Sequence, residues 1–245
     1  MPKSPAAPDA YPMRINKYLA RGGVATRRGV DELIAKKKVL INGRVAALGD
    51  KVHEGDTVEL RSGGPQKKHL YFAYHKPVGV ITHSPQMGEK DIKQSVPMDV
   101  FPVGRLDKYS SGLIILTNDG RVTDRLLNPK HDHDKEYRVQ TENPLRESFR
   151  KTMEAGVDIE GYLTKRCAVR KTGERSFVIT LSEGKKHQIR RMVAALHNTV
   201  TALERTRIVN VKLGGLKAGQ WRPIEGEELA AFLSAIGMGK RAEVR

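Results

Sequence analysis

One aspartate in this chain stands in a setting that favours chemistry. Asp107 lies in the stretch Gly104–Gly120, shortly before Leu113–Leu116, four consecutive apolar residues that predict a fully buried strand. A carboxylate fixed beside such a strand, with Arg105 two residues away, holds a charge in a low-dielectric setting, which usually has a functional reason. Such a group can act as a base or as a nucleophile. The simpler alternative is a turn aspartate that accepts a hydrogen bond from a neighbouring backbone N–H.

Two later segments carry further side chains suited to a site. The first is Lys135–Val139, and the second is Glu183–Met192. The second segment opens a helix predicted over 186–197, with apolar residues at the i, i+3, i+4, i+7 spacing of an inward face. These apolar residues are Ile189, Met192, Val193 and Leu196. Arg190 and Arg191 fall beside that stripe, so that one can reach a site and the other a phosphate or a backbone group.

The three segments occur together in a known family. Gly-Arg-Leu-Asp, Lys-Glu-Tyr-Arg-Val and His-Gln-Ile-Arg-Arg, with the earlier turn Lys76–Gly79, resemble the signature of the RNA pseudouridine synthases of the RsuA/RluB/RluE/RluF group. Any one segment alone would be weak evidence, because short strings arise by chance. The resemblance covers residues 13–236. Leu203–Ile208 and Gly219–Arg222 are most similar to the RluF-type branch, which acts on 23S ribosomal RNA.

The resemblance implies a reaction and three principal residues. Asp107 matches the essential carboxylate, Arg190 the arginine that forms an ion pair with it, and Tyr137 the tyrosine that stacks on the target base. Spacing alone would make Tyr137 a strand residue that packs on the core. Conversion of uridine to pseudouridine breaks the bond from ribose C1′ to N1 and rejoins the base through C5, without redox change, so neither a cofactor nor a metal is expected. The carboxylate either attacks C1′ or takes the C2′ proton, and the resemblance leaves both routes open.

Other residues near these segments keep more than one interpretation. Lys135 is expected to contact the substrate. Arg105 either contacts RNA near the flipped nucleotide or braces the loop of the essential carboxylate. Ile189 either lines the base pocket or packs in the core, and Arg191 either binds substrate or forms a surface salt bridge. Tyr109 departs from the family pattern, because it is bulkier than the small or acidic residue expected there, which bears on the substrate context rather than on the reaction.

The first part of the chain places basic residues on short elements. Two short predicted helices, a basic run and a small sheet within 13–61 resemble the S4 RNA-binding module. The basic residues assigned to RNA binding are Arg14, Lys17, Arg21, Arg27, Arg28, Lys36, Lys37 and Lys38. A solvated helical face would also explain them. However, Arg27 and Arg28 follow the predicted N-cap Thr26, where the helix dipole disfavours cations unless an anion such as phosphate joins them.

The overall charge favours a polyanionic partner. The 245 residues include 44 Lys and Arg against 28 Asp and Glu, a formal net charge of +16, and such an excess binds RNA through counterion release. No run approaches the roughly 20 apolar residues of a membrane span, and Met1–Pro12 lacks the apolar core of a secretory signal. The single Cys167 excludes a disulfide framework and a thiolate zinc site. We therefore expect a cytoplasmic RNA-binding protein, monomeric and without a membrane partner.

Mixed helices and strands without a regular βαβ alternation predict an α+β fold. Predicted strands include Thr164–Val169 and Val200–Ile208, and predicted helices include Arg121–Leu127 and Leu145–Ala155. The expected domain plan is a flexible N-terminus 1–12, an S4-like RNA-binding domain 13–61, a linker 62–68, a mixed or antiparallel-sheet synthase domain 69–236 and a basic tail 237–245.

The expected substrate is 23S ribosomal RNA. One alternative is a synthase that acts on transfer RNA. Another is a non-catalytic S4-type ribosome-assembly factor, although a pure RNA binder has no reason to place a carboxylate in the path of an anionic ligand.

Overall fold

The computed structural model describes residues 11–21, 24–61, 69–82, 92, 96, 99–128 and 131–239. The chain divides into two compact units. The first comprises residues 1–68 with 119–121, and the second comprises 69–118 and 122–245. All of the predicted linker, and most of the predicted N-terminal segment and basic tail, lie outside the described residues.

The first unit is built from short elements. They are β1 (Met13–Arg14), α1 (Ile15–Arg21), α2 (Arg27–Ala35), β2 (Val39–Ile41), β3 (Arg44–Val45), β4 (Lys51–Val52) and β5 (Val58–Leu60). β3, β2 and β5 form an antiparallel sheet, and β1 pairs with β4. Thr26 is the N-cap of α2, as predicted, because its Oγ1 accepts the backbone N–H of Gly29 at 2.9 Å.

The second unit contains longer strands. They are β6 (Tyr71–Lys76), β7 (Phe101–Val103), β8 (Ser111–Thr117), β9 (Lys135–Thr141), β10 (Ala168–Gly173), β11 (Ser176–Leu181), β12 (Val200–Ile208), β13 (Val211–Lys212) and β14 (Trp221–Pro223). Four helices lie between or after these strands in the chain: α3 (Arg121–Leu127), α4 (Phe149–Ala155), α5 (Gln188–Ala195) and α6 (Gly226–Ala235). Within the described ranges, each helix falls short of the apolar length that a bilayer crossing requires.

These strands form one nine-stranded mixed sheet. Its order is β10-β11-β9-β12-β8-β6-β14, with β13 beside β12 and β7 beside β8. β12 and β8 run parallel, with Arg205 opposite Gly112, whereas the other recorded pairings in this sheet are antiparallel. The predicted α+β class is therefore confirmed, and the parallel pair lies directly beside the loop that carries Asp107.

Strand β8 contains four consecutive apolar residues because both of its faces are buried. Leu113 and Ile115 belong to one hydrophobic cluster and Ile114 and Leu116 to another, and all four side chains are buried. Successive side chains of a strand point to opposite faces, so a strand covered on both faces is apolar throughout. The prediction of a fully buried strand at these residues is confirmed.

Two predicted elements begin later than their patterns suggest. β10 starts at Ala168 rather than at Thr164, because Thr164 folds back on Val157: its Oγ1 accepts the Val157 N–H at 2.9 Å, and its own N–H donates to the Val157 carbonyl at 3.0 Å. α4 starts at Phe149 rather than at Leu145, because the Leu145 N–H donates to a carbonyl outside any helix, that of Glu174, at 2.8 Å. Tertiary hydrogen bonds thus shorten both elements.

Candidate active site

Asp107 lies on a tightly held loop between β7 and β8. The preceding residue, Leu106, is buried, and the Thr82 hydroxyl both donates to its carbonyl at 2.9 Å and accepts its N–H at 3.2 Å. On the other side, the Ser110 N–H donates to the Asp107 carbonyl at 3.0 Å. These contacts fix the backbone on both sides of the carboxylate, which is the first requirement of a reactive group.

The carboxylate of Asp107 is open to solvent, with 42 % of its side chain exposed. The sequence prediction of a charge in a low-dielectric setting was therefore wrong for the carboxylate itself, because the loop carries it out from the buried strand. His187 Nε2 lies 3.3 Å from Asp107 Oδ1, and the left-handed backbone of His187 (φ 52°) positions this ring at the start of α5. A polar contact at this exposure contributes about 0–1 kcal/mol, so it orients the carboxylate more than it stabilises the fold.

The buried charge in this region belongs to a cation, Lys76, and not to the Asp107 carboxylate. This side chain is fully buried at the end of β6, and its Nζ donates to the carbonyls of Pro77 and Val80 at 2.8 Å each. Burial lowers the pKa of the Lys76 ammonium to about 8; the Asp107 carboxylate opposes this shift and Arg205 adds to it. Lys76 is thus close enough to interact with both of these charges.

Arg205 is the second buried cation, with 4 % of its surface exposed. Its Nε donates to the Leu113 carbonyl at 2.7 Å, while its Nη2 is buried and has no hydrogen-bond partner among the described residues. The sheet register places Arg205 between Gly112 of β8 and Tyr137 of β9. A buried guanidinium that is only partly satisfied costs free energy, and it creates a field that favours an anion nearby.

Strand β9 brings Tyr137 and Lys135 to this region. Tyr137 is half-buried and packs against two hydrophobic clusters, one of which contains Leu106. Burial, and then the Arg205 cation, lower the pKa of Lys135, whose Nζ donates to the His133 carbonyl at 2.9 Å. Tyr137 therefore lies beside the Asp107 loop and opposite Arg205 in the pairing of β9 with β12.

Arg190, on α5, contacts the Asp107 loop through the backbone. Arg190 donates from Nη2 to the Tyr109 carbonyl and from Nη1 to the Val200 carbonyl, both at 3.0 Å. The sequence prediction of a direct ion pair with Asp107 differs from this arrangement, in which Arg190 reaches the loop through a carbonyl two residues beyond the carboxylate. The reason is that the carboxylate faces solvent and His187, leaving the backbone as the nearest acceptor.

The neighbours of Arg190 serve the scaffold in this structure. Arg191 donates to the Ile159 carbonyl at 2.7 Å and to Glu160 at 2.8 Å, which is the salt-bridge interpretation of the two that the sequence allowed. Ile189 is buried in the hydrophobic core of this unit. Arg105, in contrast, is exposed to solvent on the Asp107 loop.

The start of the third motif is anchored by Glu183. Its carboxylate accepts the Tyr162 hydroxyl at 2.6 Å, the Gln188 side-chain amide at 2.6 Å and the Lys165 N–H at 3.0 Å. Burial acts to raise the pKa of Glu183, but these hydrogen bonds outweigh it and lower the pKa. Because Gln188 is the first residue of α5, this anchor sets the position of His187 and Arg190.

Sequence reasoning did not assign three of the residues that surround Asp107 to the site. Lys76 was visible only as part of the Lys-Pro-x-Gly turn, and His187 only as part of the third motif. Arg205 was visible only as part of Leu203–Ile208, and its place in the site arises from the pairing of β12 with β8 and β9. The signal that could have pointed to Lys76 is a lysine at the end of a largely apolar predicted strand.

The basic residues of the first unit lie mainly at its surface. Arg14, Arg21, Arg27, Arg28, Lys36 and Lys37 are exposed, and Lys17 and Lys38 are half-buried. Arg27 and Arg28 open α2 directly after its N-cap, so the predicted grouping of cations at a helix N-terminus is present.

The shifted pKa of Lys76 predicts a specific pH dependence of stability. The folded pKa of about 8 lies below the ordinary 10.5, so between these values the unfolded chain binds more protons than the folded one. The free energy of unfolding should therefore rise with pH across this window, by up to about 1.4 kcal/mol per pH unit from this group. Urea unfolding of the second unit, followed by the fluorescence of the sole tryptophan, Trp221, measures it.

The matched variant is Lys76→Met, which keeps an apolar stem of similar length without the titrating group. It loses the two carbonyl contacts, so its absolute stability should fall, but its curve should be flatter than that of the wild type between pH 8 and 10.5. Parallel curves for the two proteins would show that Lys76 is not the group responsible.

Comparison with known proteins agrees with this geometry. A family model described as RNA pseudouridylate synthase matches residues 70–195, and the S4 domain model matches residues 13–58. A solved structure described as a pseudouridylate synthase superposes with a TM-score of 0.66 at 28 % identity, covering 92 % of this chain and 99 % of the other.

Curated relatives extend the match to nearly the whole chain. The dual-specificity RNA pseudouridine synthase RluF of Salmonella typhi is 42 % identical over 230 residues, which cover 91 % of this chain and 79 % of that protein. The ribosomal large subunit pseudouridine synthase B of Bacillus subtilis (strain 168) is 34 % identical over 242 residues, which cover 94 % and 99 % of the two chains. These matches show that this protein, which also carries an S4 domain, belongs to the RNA pseudouridylate synthase family.

Proposed function

We propose that this RNA pseudouridine synthase isomerises a uridine in 23S ribosomal RNA, with Asp107 as the essential carboxylate. The observation that carries the proposal is the arrangement around that residue: a carboxylate open to a ligand, on a fixed loop, beside the buried cations Lys76 and Arg205. The matched relatives named for RNA and for the ribosomal large subunit support this RNA class.

The reaction moves a base without a net change in atoms. The C1′–N1 bond breaks, the uracil turns, and a C1′–C5 bond forms, after which the C5 proton leaves and a proton returns to N1. In one route the Asp107 carboxylate attacks C1′ as the bond to N1 breaks, and the resulting ester bond breaks when C5 bonds to C1′. In the other route the carboxylate removes the C2′ proton and returns it to C2′ when C5 bonds to C1′. Both routes use the ionised carboxylate, and neither consumes a cofactor.

The buried cations are proposed to keep the Asp107 carboxylate ionised when the nucleotide binds. A nucleotide bound over Asp107 excludes water, and loss of water disfavours the charged carboxylate. Lys76 and Arg205 are already desolvated and fixed, so their attraction for Asp107 strengthens as water leaves. Arg190 acts as a positioning residue through the Tyr109 carbonyl.

Tyr137 is proposed to stack on the flipped uracil. Its ring is half-buried, so one part is held by the core and another part remains available to a base. Stacking of this kind contributes about 1–3 kcal/mol per base and compensates for the neighbours that the base loses when it leaves its helix. Lys135 and Arg105 are proposed to contact the adjacent backbone of the RNA.

The S4 domain is proposed to supply affinity rather than chemistry. Its exposed cations suit phosphate contacts, which position a protein on RNA without reading sequence. We further propose that the enzyme acts as a monomer in the cytoplasm, with the S4 domain, the linker and the synthase domain bounded at 13–61, 62–68 and 69–236.

Primer extension after carbodiimide treatment tests the proposal, because the adduct of pseudouridine stops reverse transcriptase. Wild-type protein is incubated with 23S, 16S and transfer RNA, and the Asp107→Asn protein serves as the control. The expected result is a new stop in 23S RNA with wild type alone. Binding measured at 50 and 200 mM salt should weaken steeply if phosphate contacts dominate.

Other outcomes identify which part of the proposal fails. A new stop in transfer RNA alone would retain the activity and overturn the substrate. Tight binding with no stop in any RNA would favour the assembly-factor interpretation over catalysis.

A further inference from the structure

Tyr109 is a large side chain that the fold leaves in solvent. It is 70 % exposed, although it lies only two residues after Asp107. Exposure of a single aromatic residue is common, but this one lies on the same loop as the carboxylate of the site.

The backbone that carries Tyr109 is fixed on every side. The Lys108 carbonyl accepts the Gly79 N–H at 2.8 Å, the Tyr109 carbonyl accepts Arg190 Nη2 at 3.0 Å, and the next residue, Ser110, is buried and donates its N–H to Asp107. The ring therefore projects from an ordered turn. Its exposure is a property of the fold and not of a loose segment.

A second exposed apolar side chain stands on the adjoining turn. Val78 is 60 % exposed, and its neighbour Gly79 makes the hydrogen bond that joins this turn to the Asp107 loop. Even taken together, Val78 and Tyr109 are only two exposed apolar side chains. This is far smaller than the roughly 800 Å² per partner of a stable protein interface, so a protein is a poor candidate for its occupant.

The surrounding charge indicates which ligand fits. Arg105 is exposed on the same loop, and His187 and Arg190 contact the loop from α5. An aromatic face on a loop that carries Arg105 and is contacted by Arg190 suits a nucleotide, since the base stacks on the ring while the phosphate meets the positive charge of an arginine.

We propose that Tyr109 stacks on a base next to the target uridine and so helps to determine which RNA context the enzyme accepts. This inference rests on the proposed function, in which the target nucleotide binds against Asp107 and Tyr137. The RNA strand continues on both sides of that nucleotide, so a neighbouring base passes over the loop that bears Tyr109. Only the ring is needed for this contact, and the hydroxyl is not.

The test compares Tyr109→Ala and Tyr109→Phe with the wild type, on a short RNA that contains the modified site. Leu163→Ala is the matched control for the loss of an exposed apolar side chain, because Leu163 is 68 % exposed. The contacts of its neighbours Tyr162 and Lys165 with Glu183 use a phenol hydroxyl and a backbone N–H, which this substitution leaves in place. We expect Tyr109→Ala to raise both KM and the Kd of the RNA about tenfold, the range that loss of one stacked base produces, with kcat changed less than about twofold. Tyr109→Phe and Leu163→Ala should remain within about twofold of wild type.

A second arm identifies the stacked base. Each nucleotide beside the target is replaced in turn by an abasic one, and the wild type and Tyr109→Ala are compared on each RNA. With the base that stacks on Tyr109 removed, the two proteins should have the same KM, because the contact is already lost.

Three results would overturn the inference. They are an unchanged KM and Kd for Tyr109→Ala, a full tenfold difference that persists on both abasic RNAs, and a fall in kcat with KM unchanged, which would indicate a role in holding the loop. Failure of the proposed function looks different, because the wild type itself would then form no pseudouridine, while the Kd comparison would still test Tyr109.

Discussion

Replacement of Asp107 by asparagine should lower turnover of the RNA by about 10⁴-fold or more, because an amide can neither attack C1′ nor accept a proton. The loop should keep its conformation, since Leu106 and Ser110 hold it through backbone contacts that do not involve the carboxylate. The lost pair with His187 is exposed, so stability should change by no more than about 1 kcal/mol. Single-turnover formation of pseudouridine measures the rate.

Two further measurements distinguish a chemical role of Asp107 from a structural one. The Kd of the RNA for Asp107→Asn should stay within about threefold of wild type, as the carboxylate supplies chemistry rather than affinity. Asp124→Asn, the same change at an exposed position on α3, should be fully active. A loss of RNA binding equal to the loss of turnover would instead give Asp107 a structural role.

Replacement of Gly112 by alanine should destabilise the second unit by about 3–5 kcal/mol, at the upper end of single substitutions. A Cβ at this position would lie 2.3 Å from the Arg205 carbonyl oxygen and 2.4 Å from the Arg205 nitrogen, and the residue has a φ of +110°. Both obstructing atoms are backbone, so relief requires β8 and β12 to separate. Urea unfolding followed by Trp221 fluorescence reports on the sheet that contains them.

The control for Gly112→Ala is Gly219→Ala in the same unit. Gly219 also has a positive φ, +83°, but a Cβ there would meet nothing within 4 Å. Backbone strain alone costs about 1–2 kcal/mol, so the difference between the two variants isolates the steric contact. Equal losses of stability would show that the close approach of β12 to β8 is not what requires glycine.

The elements of this fold were largely predictable because local patterns and tertiary structure agree. The bounds of β12 and α3 match those predicted, and the run Leu113–Leu116 is a buried strand as expected. Disagreement arose where a tertiary hydrogen bond ended an element, as at Thr164 and Leu145.

The site was less predictable than the fold. Asp107 and Tyr137 were identified because they lie within recognisable segments, whereas the burial of Arg205 depends on strand pairing that no local pattern encodes. The orientation of Arg190 depends on which acceptor lies within reach, a matter of about an ångström that residue types do not determine.

The parallel pairing of β12 with β8 also affects when the enzyme becomes active during synthesis. The hydrogen bond from Arg205 to Leu113 joins residues that are 92 positions apart. Contacts of such separation form late, because the loop-closure entropy must be overcome first. A nascent chain that has emerged only as far as β11 therefore holds Asp107 without Arg205 and without β12, the strand that joins β8 to β9. The S4 domain lies at the start of the chain and Arg205 near its end, so a partly synthesised protein holds its S4 domain before it holds the complete site of the proposed reaction.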